Sequence, residues 1–436
     1  MMTTTFSRVW RQRARATTAW LTAITVAGPI VACSTAHDAL NVTAPDQIDA
    51  KKLQDPQYAT LLVNSTVGDF ECAYGAFTVA GGLLSGELND VSITAARWTY
   101  DRRDVQSSES AYSQNNCDAS TPGTYTPIST ARYTADNAAT LLQGWTDAQV
   151  PNRQDLLAKA LIYSGYDRIM LGELFCTAAI DLGPELTSAQ VFALAEDRFT
   201  KGLAAAQAAS DAKLTALAYM GRARARLDQG NLTGADADAK LVPAGFVANV
   251  TADISNGVRI NRPYAQFNGA VVSVAPQYRG LTVPTASGGT VPDTRIGDSV
   301  TGRLGADAAS PLIISTKYRT GATPLPFGSY AEAQLIIAEA EGGQTAVNII
   351  NSLRQAAGLP SAFQSSDPAT IQAQVIAERS RALYLQGNRA FDSRRLNLPL
   401  NPAAGAPYVH GGSYGSERCL PLPDVERNNN PTLKNG

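Results

Sequence analysis

Residues 328–395 constrain what this chain can fold into more than any other stretch. Helical patterns cover 329–341, 344–356 and 368–386, and each boundary has a local cause. Gly342-Gly343 separates the first helix from the second. Gly358 accepts a left-handed cap, and Pro360 cannot extend the second helix. Asp367 is placed to cap the third, with Pro368 at its first helical position. At about 100° per residue, Ile371, Val375, Ile376, Ala382 and Leu383 share one apolar stripe, and Arg379 sits in its middle. An unpaired buried guanidinium is strongly unfavourable, so Arg379 requires a carboxylate. Glu332 and Glu339 share a face of the first helix between Leu335 and Ile336. The expectation is a structural ion pair between Arg379 and one of these glutamates, internal scaffolding rather than a ligand site.

Upstream, helical patterns cover 54–80, 127–146, 152–174, 189–208, 214–227 and 235–241, the first ending near Gly81-Gly82. The run AYMGRARARLDQGNLTGADADAKLVP at 218–243 resembles a tetratricopeptide unit: helix, Gly-containing turn, second Ala-rich helix, then Pro. Gly221, Ala223 and Ala225 permit close helix packing. Stretches 133–174, 189–243 and 329–357 would form such pairs, without a strict repeat period. The expected fold is mainly α, a tetratricopeptide-like helix-pair scaffold with long irregular, partly β ligand-facing loops.

Two segments interrupt the helical pattern. Residues 85–130 read as a long polar loop holding Trp98, Tyr100, Tyr112 and Tyr125. Residues 244–327 hold the short β-like runs GFVANV, GAVVSV and SPLIIST between Gly, Pro, Ser and Asn clusters, with Tyr264, Phe267, Tyr278 and Tyr318 among them. Long irregular insertions in a rigid scaffold are where binding residues concentrate. The expected organisation is a helical scaffold over 51–243 with an insertion at 85–130, a loop-rich ligand-facing region over 244–327, and C-terminal helices with a tail over 328–436.

Residues 1–32 read as an export signal. Arg8, Arg11, Arg13 and Arg15 precede an apolar run, Thr17–Ala32, that is short for a membrane span. The run ends Ile30-Val31-Ala32-Cys33 and resembles a bacterial lipobox with Cys33 as the lipidated residue. An ordinary secretory signal with a chance cysteine is the alternative. Several acyl chains on one N-terminus suffice for stable anchoring, and residues 33–50 then read as a polar tether. In an exported chain Cys72, Cys117, Cys176 and Cys419 can form disulfides, and their spacing does not choose among the pairings.

The composition excludes several classes. A net charge of −2 with no long basic run argues against nucleic acid as a partner. The only histidines, His37 and His410, are too few for a histidine zinc cluster, and a Ser-His-Asp triad is not indicated. A lone histidine such as His410 reads as a surface or hydrogen-bonded residue. Gly288-Gly289 and the glycines of 321–328 lack the phosphate-loop spacing and its lysine. No stretch ties two carboxylates to one site, and Asp90 and Asp101 are the nearest approach. No enzyme activity, cofactor or metal is expected.

The C-terminal residues carry a family resemblance. Tyr330–Ala340, then Asn351-Ser352-Leu353-Arg354 with Ala357-Gly358-Leu359, resemble the sequence pattern of SusD/RagB-type outer-membrane lipoproteins. So do Glu378-Arg379, the spaced Gly387, Arg389, Asp392 and Arg395, and the closing Leu420-Pro421-Leu422-Pro423, Glu426 and Asn430-Pro431. The match is best over 325–436. The resemblance implies a lipid-anchored protein on the outer face of the outer membrane. It would bind a nutrient, an oligosaccharide or else a peptide, and hand it to a SusC-type TonB-dependent transporter. Ser34, rather than aspartate, follows Cys33, which fits the outer membrane. In that family irregular segments form the ligand surface and helix pairs face the transporter. Aromatic faces stack on sugar rings while polar groups set orientation. Trp98, Tyr100, Tyr278, Asp90 and Arg102 are the expected ligand contacts. A helical interaction scaffold with no small-molecule ligand, or a surface hydrolase, are the alternatives.

Overall fold

The computed structural model describes residues 52–118, 121 and 123–434. The signal segment 1–32, Cys33 and the tether 33–50 lie outside the described residues. The first helix, α1 (Ala59–Leu84), runs through Gly81-Gly82, where the sequence suggested an end. It is buried at every position from Ala73 to Leu84. That packing outweighs an intrinsic cost of about 1 kcal/mol per helical glycine.

The stretch expected to be a long loop is instead structured. It holds β1 (Leu88–Asp90), α2 (Ala95–Arg102) and α3 (Ser110–Gln114). Then come α4 (Tyr125–Gly144), α5 (Arg153–Leu174), the strand pair β2 (Thr177–Ala179) and β3 (Glu185–Thr187), α6 (Ser188–Ala208), α7 (Ala212–Asp228) and α8 (Leu232–Ala239). From α4 to α8 each helix packs on the next, as a chain of helix pairs requires. The starts are locally encoded. Thr187 and Gln190 form a reciprocal capping box at α6, and Asp211 and Asn231 cap α7 and α8. Gly221 earns its place on α7, since a Cβ there would lie 2.2 Å from the Phe199 ring of α6.

The region 247–329 departs from the helical pattern. It contains β4 (Val247–Val250), α9 (Arg262–Asn268), β5 (Val272–Val274), β6 (Thr282–Pro284), β7 (Thr290–Pro292), β8 (Asp298–Leu304), β9 (Pro311–Ser315) and β10 (Leu325–Ser329). These pair as two-stranded ladders: β1 with β5, β4 with β10, β6 with β7, and β8 with β9, all antiparallel. The β1–β5 ladder fastens the region to the segment after α1. The Tyr74 hydroxyl on α1 donates to Pro326 O at 3.0 Å and fastens β10.

The chain closes with α10 (Tyr330–Glu341), α11 (Gly343–Ala356), α12 (Pro368–Ala382), α13 (Asn388–Arg395) and α14 (Asp424–Asn429). The third C-terminal helix therefore stops at Ala382, short of the expected 386. Gly387 turns the chain at φ 82°, and a Cβ there would lie 2.2 Å from Phe77. The turn brings Asp392 back onto Arg379, whose Nε and Nη2 donate to the carboxylate at 3.0 and 3.2 Å. The expected ion pair with Glu339 is present at 3.8 Å, but the hydrogen-bonded partner is Asp392. Glu339 takes its two short bonds from Arg395. Glu332 faces Arg224 at 3.7 Å and accepts from Asn388 at 2.9 Å. Arg224 in turn binds both oxygens of Glu173 at 2.7 Å. The need for a buried counter-charge and one of its suppliers, Glu339, were legible, but the carboxylate that hydrogen-bonds Arg379 lies beyond a turn that the helix pattern hid. The disulfides are Cys72–Cys117 and Cys176–Cys419. Among the described residues no helix is long and apolar enough to cross a membrane.

Candidate functional site

The residues picked from the sequence divide between interior and surface. Asp90 is fully buried, accepting from Arg97 Nε at 3.1 Å and from Ser92 Oγ at 2.5 Å. Tyr100 is 3 % exposed, and burial raises its pKa. Asp101 accepts the Asp90 N–H at 2.8 Å, and burial pushes its carboxyl up to about 7. These contacts correct the expectation that Asp90 and Tyr100 face a ligand. The buried polar residues of this stretch bond to one another and to neighbouring segments, Arg97 to Asp90 and Gln266, and Asp101 to the Asp90 N–H, as buried polar groups must. Tyr278 is likewise buried, at 4 % exposure. Its hydroxyl lies 2.7 Å from Ser380 Oγ, and burial pushes its pKa up to about 12.

Trp98 and Arg102 stay closer to the surface, and the C-terminal tail meets them. The half-buried Trp98 ring lies face to face with His410, centroids 4.4 Å apart and planes 11° apart. The Trp98 indole donates to Ser92 O at 2.9 Å, which fixes the ring. Tyr408 stands edge-on to His410 and to Tyr414, at 5.5 and 5.1 Å. The Arg102 guanidinium sits 5.8 Å over the Tyr408 ring and pairs with Asp104 at 2.6 Å. His410 Nε2 lies 3.8 Å from Asp307, so this aromatic cluster draws one group from the 244–327 region. Ile93 and Val409, in the same two segments as Trp98 and His410, are 74 % and 58 % exposed.

A cleft of about 410 Å³ opens between α9 and the β8–β9 hairpin. Asn261 caps α9 by accepting the Tyr264 N–H at 2.9 Å, and this sets the helix that supplies Tyr264, Phe267 and Asn268 to the wall. The hairpin and the chain after it supply Thr301, Arg303, Leu312, Ile314, Ser315, Thr316, Tyr318 and Arg319. Tyr318 is held from below, its hydroxyl donating to Leu385 O at 3.0 Å. The wall thus joins apolar and aromatic surface to hydroxyls, an amide and two guanidinium groups. That mixture suits a polar ligand with flat apolar faces. A second cavity, about 440 Å³, has Tyr278, Leu281, Ile376, Arg389 and Leu398 in its wall. Neither cavity has an aspartate or glutamate among its lining residues, so neither offers the paired acids a glycosidase uses.

Sequence reasoning reached the region of the first cleft and named Tyr264, Phe267 and Tyr318 within it, but missed Arg303, Thr301 and Arg319. The available signal was the pair of arginines at 303 and 319 bracketing the apolar run PLIIS.

Comparison with known proteins gives a consistent result. Residues 315–435 match the SusD family. A SusD superfamily protein from Bacteroides fragilis superposes with a TM-score of 0.63 at 13 % identity, covering 87 % of this chain and 99 % of that one. Surface glycan-binding protein A from Bacteroides uniformis gives 0.59 at 16 % identity, covering 86 % and 98 %. A SusD-like carbohydrate binding protein from Bacteroides vulgatus gives 0.56 at 14 %, covering 85 % and 92 %. No curated protein sequence matches this chain.

Proposed function

We propose that this chain, whose residues 315–435 match the SusD family and whose fold is shared with SusD superfamily structures, captures a nutrient at the outer face of the outer membrane and delivers it to a SusC-type TonB-dependent transporter. The nutrient is an oligosaccharide, and the protein binds it without turnover. The proposed anchor is a lipid on Cys33 after removal of residues 1–32. The observation that carries the reading is the cleft beside α9, where Tyr264 and apolar side chains meet a hydrogen-bonding rim. Two structural relatives are named for carbohydrate or glycan binding, which supports the same cargo. The Trp98–His410 stack and Arg102 are proposed as a further contact surface for a longer chain of sugars.

Calorimetric titration of the full-length protein against panels of oligosaccharides and peptides tests this. The expected result is saturable heat with one glycan class, weakened by Tyr264→Ala in the cleft. Binding to peptides alone would change the cargo. Silence with both panels would favour a helical interaction scaffold.

A further inference from the structure

The guanidinium groups of this protein are, with few exceptions, committed to protein partners. Arg224, Arg354, Arg379 and Arg395 hold carboxylates in the interior. In the irregular region Asp293 holds Arg295 and also Arg381 from α12, while Arg279 turns inward to Val274 O at 2.7 Å. Arg303 and Arg319 differ. Neither guanidinium has a hydrogen-bond or ion-pair partner among the described residues, and both belong to the wall of the cleft beside α9. Arg303 comes from β8 and Arg319 from the chain after β9, so the fold brings together two cations distant in sequence. No lining residue is acidic, although acids outnumber bases in the whole chain, which carries a net charge of −2. General basicity therefore does not explain the pair.

We propose that this cleft selects an anionic oligosaccharide, one bearing carboxylate or sulfate groups, with Arg303 and Arg319 as the residues that determine the charge preference. The proposal rests on the capture reading and narrows its substrate class. A planar guanidinium offers paired N–H donors that match the two oxygens of a carboxylate or sulfate, and such charge-assisted bonds are stronger than neutral ones. Tyr264 and Ile314 offer apolar surface for a ring face, while Thr301 and Asn268 offer hydrogen bonds to hydroxyls. The volume, about 410 Å³, lies within the roughly 300–1,000 Å³ of small-molecule sites.

Matched probes separate this inference from the reading beneath it. The full-length protein is titrated with oligogalacturonate and with the same oligomer after reduction of its carboxylates to alcohols. Dextran oligosaccharides and their sulfated forms make a second pair. The expected result is that at least one anionic member binds more than tenfold tighter than its neutral partner. That advantage should shrink with added salt and disappear in Arg303→Gln combined with Arg319→Gln. Circular dichroism and urea midpoints of the double variant should match the parent, since neither side chain is buried. Equal binding of neutral and anionic partners, unchanged in the double variant, would overturn the charge preference and leave oligosaccharide capture standing. An anionic advantage that survives the double variant would overturn the assignment to these arginines. No binding of any probe by a folded protein would count against the capture reading itself and take this inference with it.

Discussion

The helical body and the β-rich region between β4 and β10 treat charge in opposite ways. In the body, Arg224 grips Glu173 with both at 3 % side-chain exposure or less, and Arg379, Asp392, Arg395 and Glu339 form a linked buried set. In the β-rich region, Arg303 and Arg319 reach a cleft with no carboxylate in its wall, and Val300 on β8 is 79 % exposed. The body must satisfy its ions internally because burial makes any unpaired charge costly. The hairpin can leave donors uncommitted because water covers them until something displaces it. One region is thus built for shape and the other has bonding capacity to spare.

The sharpest way to break this contrast is to remove one partner in the body. Arg224→Leu would leave Glu173 and Glu332 without their shared cation, and the expected loss is about 3–5 kcal/mol in a urea melt. A loss below about 1 kcal/mol would mean that the buried set is not what holds the helices together. Next is the Cys176–Cys419 bridge, which closes a long loop with a sequence separation of 243. Replacing both cysteines by serine should cost about 2–5 kcal/mol under oxidising conditions, read as a lower thermal midpoint.

A pH series gives a smaller effect of defined sign. Burial alone would raise the Asp392 pKa, but Arg379 and Arg395 outweigh burial and hold its carboxyl below the usual range. The unfolded chain, with an aspartate near about 3.9, then takes up the proton first. This contribution is present above that value and is lost as the pH falls below it. Asp392→Asn should flatten the acid limb of stability against pH. An unchanged slope would contradict the pairing.

On the other side of the comparison, Tyr264→Ala should weaken oligosaccharide binding about tenfold, roughly 1.4 kcal/mol, with a smaller change in stability. Arg303→Gln alone should move the urea midpoint by no more than about 0.5 kcal/mol, the range of surface changes away from structural features. A large destabilisation from either variant would place the cleft among the structural elements.

The sequence revealed the helical body through local signals. Asp367 caps its helix as its place before Pro368 indicates, and the structure adds caps of the same local kind at Thr187 with Gln190, Asp211 and Asn231. The polar stretch at 88–102 misled because composition does not show whether a polar residue meets water or another polar residue. Asp90, Arg97 and Asp101 are buried together and bonded locally or to neighbouring loops. Asp392, the hydrogen-bonded partner of Arg379, was hidden for a related reason. The chain turns at Gly387 against the Phe77 ring, a neighbour far away in sequence that leaves no room for a side chain there. The cleft was the least legible part, since Arg303 and Arg319 gain meaning only when the hairpin and α9 fix them on one wall. The cysteine pairing likewise needed the fold.

The central claim is that the β-rich region holds the ligand while the helical body supports it. Hydrogen–deuterium exchange of the full-length protein, with and without a saturating oligosaccharide, tests it most directly. Protection centred on 262–268 and 298–319 is the predicted result. Protection confined to the helices α4–α8, with the β8–β9 hairpin unchanged, would contradict it.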